Sequence, residues 1–292
     1  MQHFSSLADM HRFNGIDLPE NPLFSAIRCV NSCNLGDREF TSDFYMIALK
    51  KLKSGVILYG RTRYDHDTGS MSFYKPRQVV EFNNLQFEED SFLLFIHEDY
   101  LHGHKLHNEI NSYGYFDYEI NEALHLSPRE EQIMWDLYYK IEGEYLNNTD
   151  EYSRDIILTH IDSMLKYSQR FYKRQFINRA KLSGKTVSAF QEVMTKYFKE
   201  GQGLPTVSTL AAQLNISPRY LSDLLKQETG KTAMENIHIY LINEAKNRLK
   251  THQQNISEIA YELGFENVPY FSRLFKKETG ISPNQFKKQL IN

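Results

Sequence analysis

The chain has 292 residues, 41% of them hydrophobic and 24% charged, with a formal net charge of −3, which is enough for two domains of ordinary size, each with a real core. No run of 18 uncharged apolar residues occurs and no basic start leads into an apolar stretch, so the reading excludes a transmembrane helix and a signal peptide. The small net charge hides two opposed parts: residues 1–169 carry 15 basic and 27 acidic side chains, a net of −12, and residues 170–292 carry 19 and 10, a net of +9. The basic part is drawn to a phosphate backbone and the acidic part is repelled by it, which suits the acidic part to another task.

In chain order, residues 24–96 alternate in short apolar runs: FSAIRCV, DFYMIAL, GVILYGR, MSFY, QVVEF and SFLLFIH. Turn residues such as Lys53–Gly55, Asp67–Gly69 and Asn83–Asn84 separate them. The pattern predicts several short strands in a small barrel or jelly roll. Cys29 and Cys33, four apart on a strand-like segment, read as reduced and unused, which suits a cytoplasmic protein. A closed sheet leaves an interior for a small molecule, and Tyr45, Tyr59, Arg61, His66 and Phe73 are its candidate effector-binding residues. The same aromatics at inward spacing also fit a plain core. No paired histidines with a carboxylate stand at metal-ligand spacing on the strands, where His66 is alone. His97, His102, His104 and His107 cluster in what reads as a polar loop after a strand, with no cysteine nearby. The reading is therefore of a protein that is not an enzyme, with no catalytic residues, no metal and no cofactor.

Beyond the strands the period changes. Ser127 and Glu130 form a capping-box pair opening a helix to about Leu146. A second helix starts at Asp150 or Ser153 and shows a wide apolar stripe, of which Ile157, Ile161, Met164 and Leu165 are the candidate dimerisation residues. Residues 170–187 form a basic connector with Ser183–Gly184 as its most flexible point.

The last ninety residues repeat themselves. Leu210, Ala211 and Leu214 recur as Ile259, Ala260 and Leu263, an offset of 49. Tyr220, Leu221, Leu224, Leu225, Lys226, Glu228, Thr229 and Gly230 recur as Tyr270, Phe271, Leu274, Phe275, Lys276, Glu278, Thr279 and Gly280, an offset of 50. Each copy reads as a helix, a tight turn and a second helix. Thr206 and Ser217 cap the helices of the first copy, with Pro218 at a first helical position; Asn255 with Glu258, and Asn267, cap those of the second. Gly264 sits where the turn needs positive φ, and Gly230 and Gly280 end the second helix of each copy. Residues 233–250 form a helical stripe between the copies, about 27 Å long at 1.5 Å per residue. With the width of each unit added, that length suits adjacent major-groove faces, about 34 Å apart.

With IAYELGF, YFSRLFKKETG and SPNQF in its second copy, the segment from about 188 to 290 resembles the DNA-binding domain of the AraC/XylS family of bacterial transcription regulators. More weakly, the resemblance implies that the N-terminal part is a sensing and dimerising domain. The expected fold is thus a two-domain α+β chain: a cupin-like β-barrel with trailing helices over 1–169, a linker over 170–187, and an all-α double helix-turn-helix domain over 188–292. The outward residues of the two reading helices are Pro218, Arg219, Ser222, Asp223 and Lys226 in the first, and Val268, Pro269, Ser272, Arg273 and Lys276 in the second, and all but Pro218 are candidate DNA contacts. Arg219 suits a guanine edge or a phosphate. Asp223 replaces the arginine that several family members carry, and either accepts from cytosine N4 or is a surface or salt-bridge charge. By resemblance Arg273 contacts DNA. The expected function is a dimeric, sequence-specific regulator of transcription whose partners are double-stranded DNA, a small-molecule effector in the barrel and a second copy, with no membrane. An architectural DNA-binding protein without effector, and a metal-dependent barrel enzyme with a DNA-binding tail, remain as alternatives.

Overall fold

The computed structural model describes residues 2–29, 38–50, 58–59, 62–63, 69–82, 91–119, 122–147, 150–183, 185–201, 203–250 and 255–289. They form two compact units, Met1–Gln175 and Phe176–Asn292.

The first unit begins with β1 (Gln2–Phe4), α1 (Leu7–Asn14), β2 (Phe24–Cys29), β3 (Arg38–Ser42), β4 (Phe44–Lys50), β5 (Leu58–Tyr59), β6 (Thr62–Arg63), β7 (Ser70–Tyr74), β8 (Val80–Phe82) and β9 (Ser91–His97). Two single turns of 3-10 helix and α2 (Leu106–Glu109) lead through a third such turn to β10 (Leu124–His125), α3 (Pro128–Leu146) and α4 (Ser153–Ser183). The strands make a five-stranded antiparallel sheet in the order β10-β7-β4-β9-β2, a three-stranded sheet β1-β3-β8 and the β5-β6 pair.

The expected cupin-like barrel is not what forms. Among the described residues the outer strands β10 and β2 do not pair with each other, so the five-stranded sheet stays open. The reason lies in what covers it. All seven residues of β4 are buried, because both faces of the sheet carry a layer. On one face Phe92 stacks on Tyr138 of α3 at 4.4 Å between ring centroids, and Phe73 meets Tyr115, Phe116 and Tyr172 at 4.6, 5.6 and 6.3 Å. On the other, Met46, Tyr74 and Phe95 join Phe4, Leu7, Met10, Phe40 and Val80 from α1 and the small sheet. Alternating apolar residues serve such a layered sheet as well as a barrel, and the alternation carries no information about whether the outer strands meet.

Helix α3 starts as its residues dictate: Ser127 Oγ accepts from the Glu130 amide at 3.4 Å, and Glu130 Oε2 accepts from the Ser127 amide at 2.8 Å. Glu130 also takes both Arg174 Nε and Nη2, at 3.1 and 2.7 Å, which ties the start of α3 to α4. Further along α4, Gln175 accepts from the His125 amide at 2.9 Å and holds β10. The segment expected as a connector is therefore largely helical, with α4 running to Ser183.

The second unit holds α5 (Lys185–Lys199), α6 (Val207–Gln213), α7 (Pro218–Thr229), α8 (Ala233–Lys250), α9 (Ile256–Glu262), α10 (Val268–Thr279) and α11 (Pro283–Gln289). One core joins them. Phe190 and Met194 of α5, Leu221 and Leu225 of α7, Ile237, Leu241, Ala245 and Leu249 of α8, and Phe271 and Phe275 of α10 are all 3% exposed or less. No helix among the described residues is long and apolar enough to cross a membrane.

Candidate nucleic-acid interface

The pairs α6–α7 and α9–α10 are the two helix-turn-helix units, with α8 between them. Their ends follow from local chemistry. Thr206 and Thr209 cap α6 reciprocally, Ser217 Oγ accepts from the Tyr220 amide at 3.2 Å, and Pro218 occupies a first-turn position that needs no donor. In the second copy Asn255 Oδ1 accepts from the Glu258 amide at 2.9 Å, Glu258 returns the bond at 2.8 Å, and Asn267 Oδ1 accepts from the Tyr270 amide at 2.8 Å. Gly230 and Gly280 close α7 and α10 at φ of 74° and 83°. The turns correspond too: Asn215 at φ 54° in the first and Gly264 at 87° in the second. Gly264 has a second reason to lack a Cβ, which would stand 2.3 Å from both the Gly203 carbonyl carbon and the Leu204 nitrogen.

With the cores filled, the outward side chains separate. On α7, Arg219 is 48% exposed and donates through Nε to Asp223 Oδ2 at 3.0 Å, one turn on. Ser222 is half-buried and its Oγ accepts from the Ala233 amide at 3.3 Å, so it joins α7 to the start of α8. Lys226 is exposed. On α10, Pro269, Arg273 and Lys276 are exposed, Ser272 is half-buried, and Val268 is partly buried against the core. Arg273 and Lys276 have no ion pair among the described residues. One residue of this surface escaped sequence reasoning. Tyr270 is 41% exposed, whereas its counterpart Tyr220 is fully buried and meets the Phe176 ring at 5.2 Å. The repeat equates the two tyrosines, so only the packing separates them.

The other expected residues fall differently. Tyr45 and Phe73 lie on the helix-covered face of the sheet, 6% and 4% exposed, and belong to the core. Tyr45 Oη donates to Asn111 at 3.3 Å, and burial, reinforced by Glu98, raises its pKa. The void beside Phe73 has a volume of about 10 Å³, room for a single water at most. Tyr59 is in β5, and Arg61 and His66 lie outside the described residues. Ile157, Ile161, Met164 and Leu165 are 0–3% exposed within the single chain, so they offer no free face to a partner. The histidine segment forms short helical turns in which His97 accepts from the Asp99 amide at 3.1 Å and His104 from the Leu106 amide at 3.2 Å. No group of three or more metal-ligating side chains is found among the described residues.

The family model described as a helix-turn-helix domain matches residues 210–289, from α6 through α11. The uncharacterised helix-turn-helix transcriptional regulator YfiF of Bacillus subtilis is 35% identical over 136 residues, 46% of this chain and 41% of that protein. The arabinose operon regulatory protein of Escherichia coli is 35% identical over 81 residues, 28% of each. Among solved structures, the C-terminal domain of AraT, a response regulator from Geobacillus stearothermophilus, is 33% identical over 37% of this chain and 87% of that one, with a TM-score of 0.33. The chain spans less than half the length of the curated relatives it matches.

Proposed function

We propose, from the premise that the helix-turn-helix region places this chain among the AraC/XylS-type transcription regulators, that it recognises specific operator sequences through α7 and α10. The observation that carries this reading is the repeated unit: two capped reading helices on one core, each with a basic exposed side, held by a single 18-residue helix. Arg273 is the principal base contact, and Lys226 and Lys276 hold phosphates. Arg219, Pro269, Ser272 and Val268 complete the surface, Val268 by apolar contact. Ser222 acts by fixing α7 against α8 rather than by touching bases. Selection of bound sequences from random duplexes tests the reading: the full chain returns a defined motif, and a random pool after selection overturns it.

The acidic first unit is the regulatory part of the same proposal. It is compact in its own right. In this reading a small molecule bound there changes how the two DNA-binding regions of a dimer are held, which requires unequal affinity for the two states. The dimer uses the solvent side of α3, of the start of α4 and of Tyr152 just before it, where Tyr139, Leu146, Tyr152 and Ile156 are 44, 66, 64 and 39% exposed. Thermal unfolding of the full chain with and without candidate effectors separates this from a purely architectural DNA-binding protein, whose first unit shows no ligand-dependent shift.

A further inference from the structure

We propose that Asp223 is a positioning residue that aims the Arg219 guanidinium at a guanine edge, so that the first reading helix contributes a base preference of its own. The proposal rests on the DNA-binding reading above and adds to it how the first unit reads. Arg219 is the second residue of α7, in the turn that leads a reading helix into the groove, and Asp223 is one turn behind it. Their contact uses one edge of the guanidinium, Nε to Oδ2 at 3.0 Å. The two terminal Nη groups have no partner among the described residues, and Arg219 is 48% exposed. That free end is a two-donor fork, and guanine presents two acceptors, O6 and N7, at matching spacing in the major groove.

Helix stability does not explain the pair. A cation in the first turn opposes the helix dipole, arginine ahead of aspartate is the weaker order for neighbours one turn apart, and exposed pairs of this kind add little. What the pair does is restrict a long side chain before docking, so that less freedom is lost on contact. It also answers the difficulty of a carboxylate facing phosphates, because the arginine neutralises it. In the second unit the two positions hold Pro269 and Arg273. The arginines of the two units therefore stand one turn apart along their helices, and only the first has an aspartate behind it.

The test is selection of bound sequences from random duplexes with the full chain and three variants: Arg219→Ala, Asp223→Ala and the double variant. Thermal unfolding first establishes that each is folded. The expected result is that Arg219→Ala removes a guanine preference at one position and leaves the rest of the motif intact. Asp223→Ala weakens the same preference by about fivefold or more, the lower end of the discrimination a bidentate arginine–guanine pair supplies. The double variant matches Arg219→Ala. Uniform tightening on all duplexes by Asp223→Ala with an unchanged motif overturns the proposal, because Asp223 is then only a surface charge. Loss of a cytosine preference at a position that Arg219→Ala leaves alone overturns it as well, because Asp223 then reads by itself. Failure of the unsubstituted chain to select any motif removes the DNA-reading premise instead.

Discussion

At the scale of single residues, the interface depends on which charged side chains are left free after local pairing. Arg273 is exposed and unpaired among the described residues, with Phe271, Leu274 and Phe275 turned into the core around it. Arg273→Ala is expected to weaken binding to the selected duplex more than to a scrambled one, by about 1–3 kcal/mol. Lys276→Ala is expected to weaken both about equally and to lower the slope of affinity against salt by about one counterion. Titrations of both duplexes at several salt concentrations check the two together, and equal losses for Arg273→Ala make Arg273 a phosphate clamp. Much at this scale was legible in the sequence. Ser127, Thr206, Ser217, Asn255 and Asn267 all cap as their spacing predicts, because a cap depends only on the next three residues. Side chains whose surroundings come from distant elements were not legible. Tyr45 and Phe73 read as lining of a ligand cavity, but α4 and the turns after β9 fill the space against that face of the sheet.

At the scale of elements, the turns of the two units and the helix between them bear most on the interface. Gly264→Ala places a methyl 2.3 Å from the backbone of Gly203 and Leu204 at a φ of 87°. Because backbone rather than a flexible side chain is struck, a destabilisation of about 2–4 kcal/mol is expected. Asn215→Gly, at the matching turn with φ 54°, is expected to leave stability nearly unchanged. Chemical denaturation of the two variants checks both. Along α8, burial lowers the pKa of His238, with Lys277 adding to this and Glu278 and Glu235 opposing it. Above the ordinary imidazole value near 6.5 the side chain is neutral folded or unfolded and has no effect on stability. As pH falls below that value the unfolded chain binds the proton first, so the folded state loses stability until the lowered pKa is passed. His238→Gln is therefore expected to flatten the loss of stability as pH falls below 6.5. An unchanged slope removes His238 as a contributor. The helices of the two repeated units and α8 were legible because each carries a 3.6-residue stripe, whereas the second half of α4 and the start of α5 lay in a stretch that reads as a connector. β1, α1 and β3 were missed, since three to eight residues with mixed polarity give too short a pattern.

At the scale of the whole molecule, the division of labour follows the charge. The +9 balance of residues 170–292 predicts that binding to a selected duplex weakens steeply between low and moderate salt, as neutralised phosphates release their counterions. The wide apolar stripe of α4 predicts pairing of two copies, and width alone does not say which part of it a neighbouring layer takes. Leu158, Ile161, Met164 and Leu165 are fully buried within the single chain. What remains exposed is a second, shorter row. Tyr152, Asp155, Ile156, Thr159 and His160 line a surface groove of about 340 Å³ at the start of α4. On α3, Lys140 and Glu144 are near enough to act on the charge of His160, which sets the exposed Tyr139 and Leu146 on the neighbouring helix. A two-fold pairing repeats every such contact, so one charge introduced into the apolar part of the row is buried in both copies at once. Ile156→Glu is therefore expected to shift the full chain from dimer to monomer at micromolar concentration, with its melting temperature little changed because Ile156 is already 39% exposed. Ile161→Glu is expected to unfold the first unit, because it puts a charge into a fully buried site. Sedimentation equilibrium with circular dichroism distinguishes the two outcomes. A dimer that survives Ile156→Glu unchanged places the contact between copies elsewhere on the molecule, and so does a full chain that is monomeric at the outset.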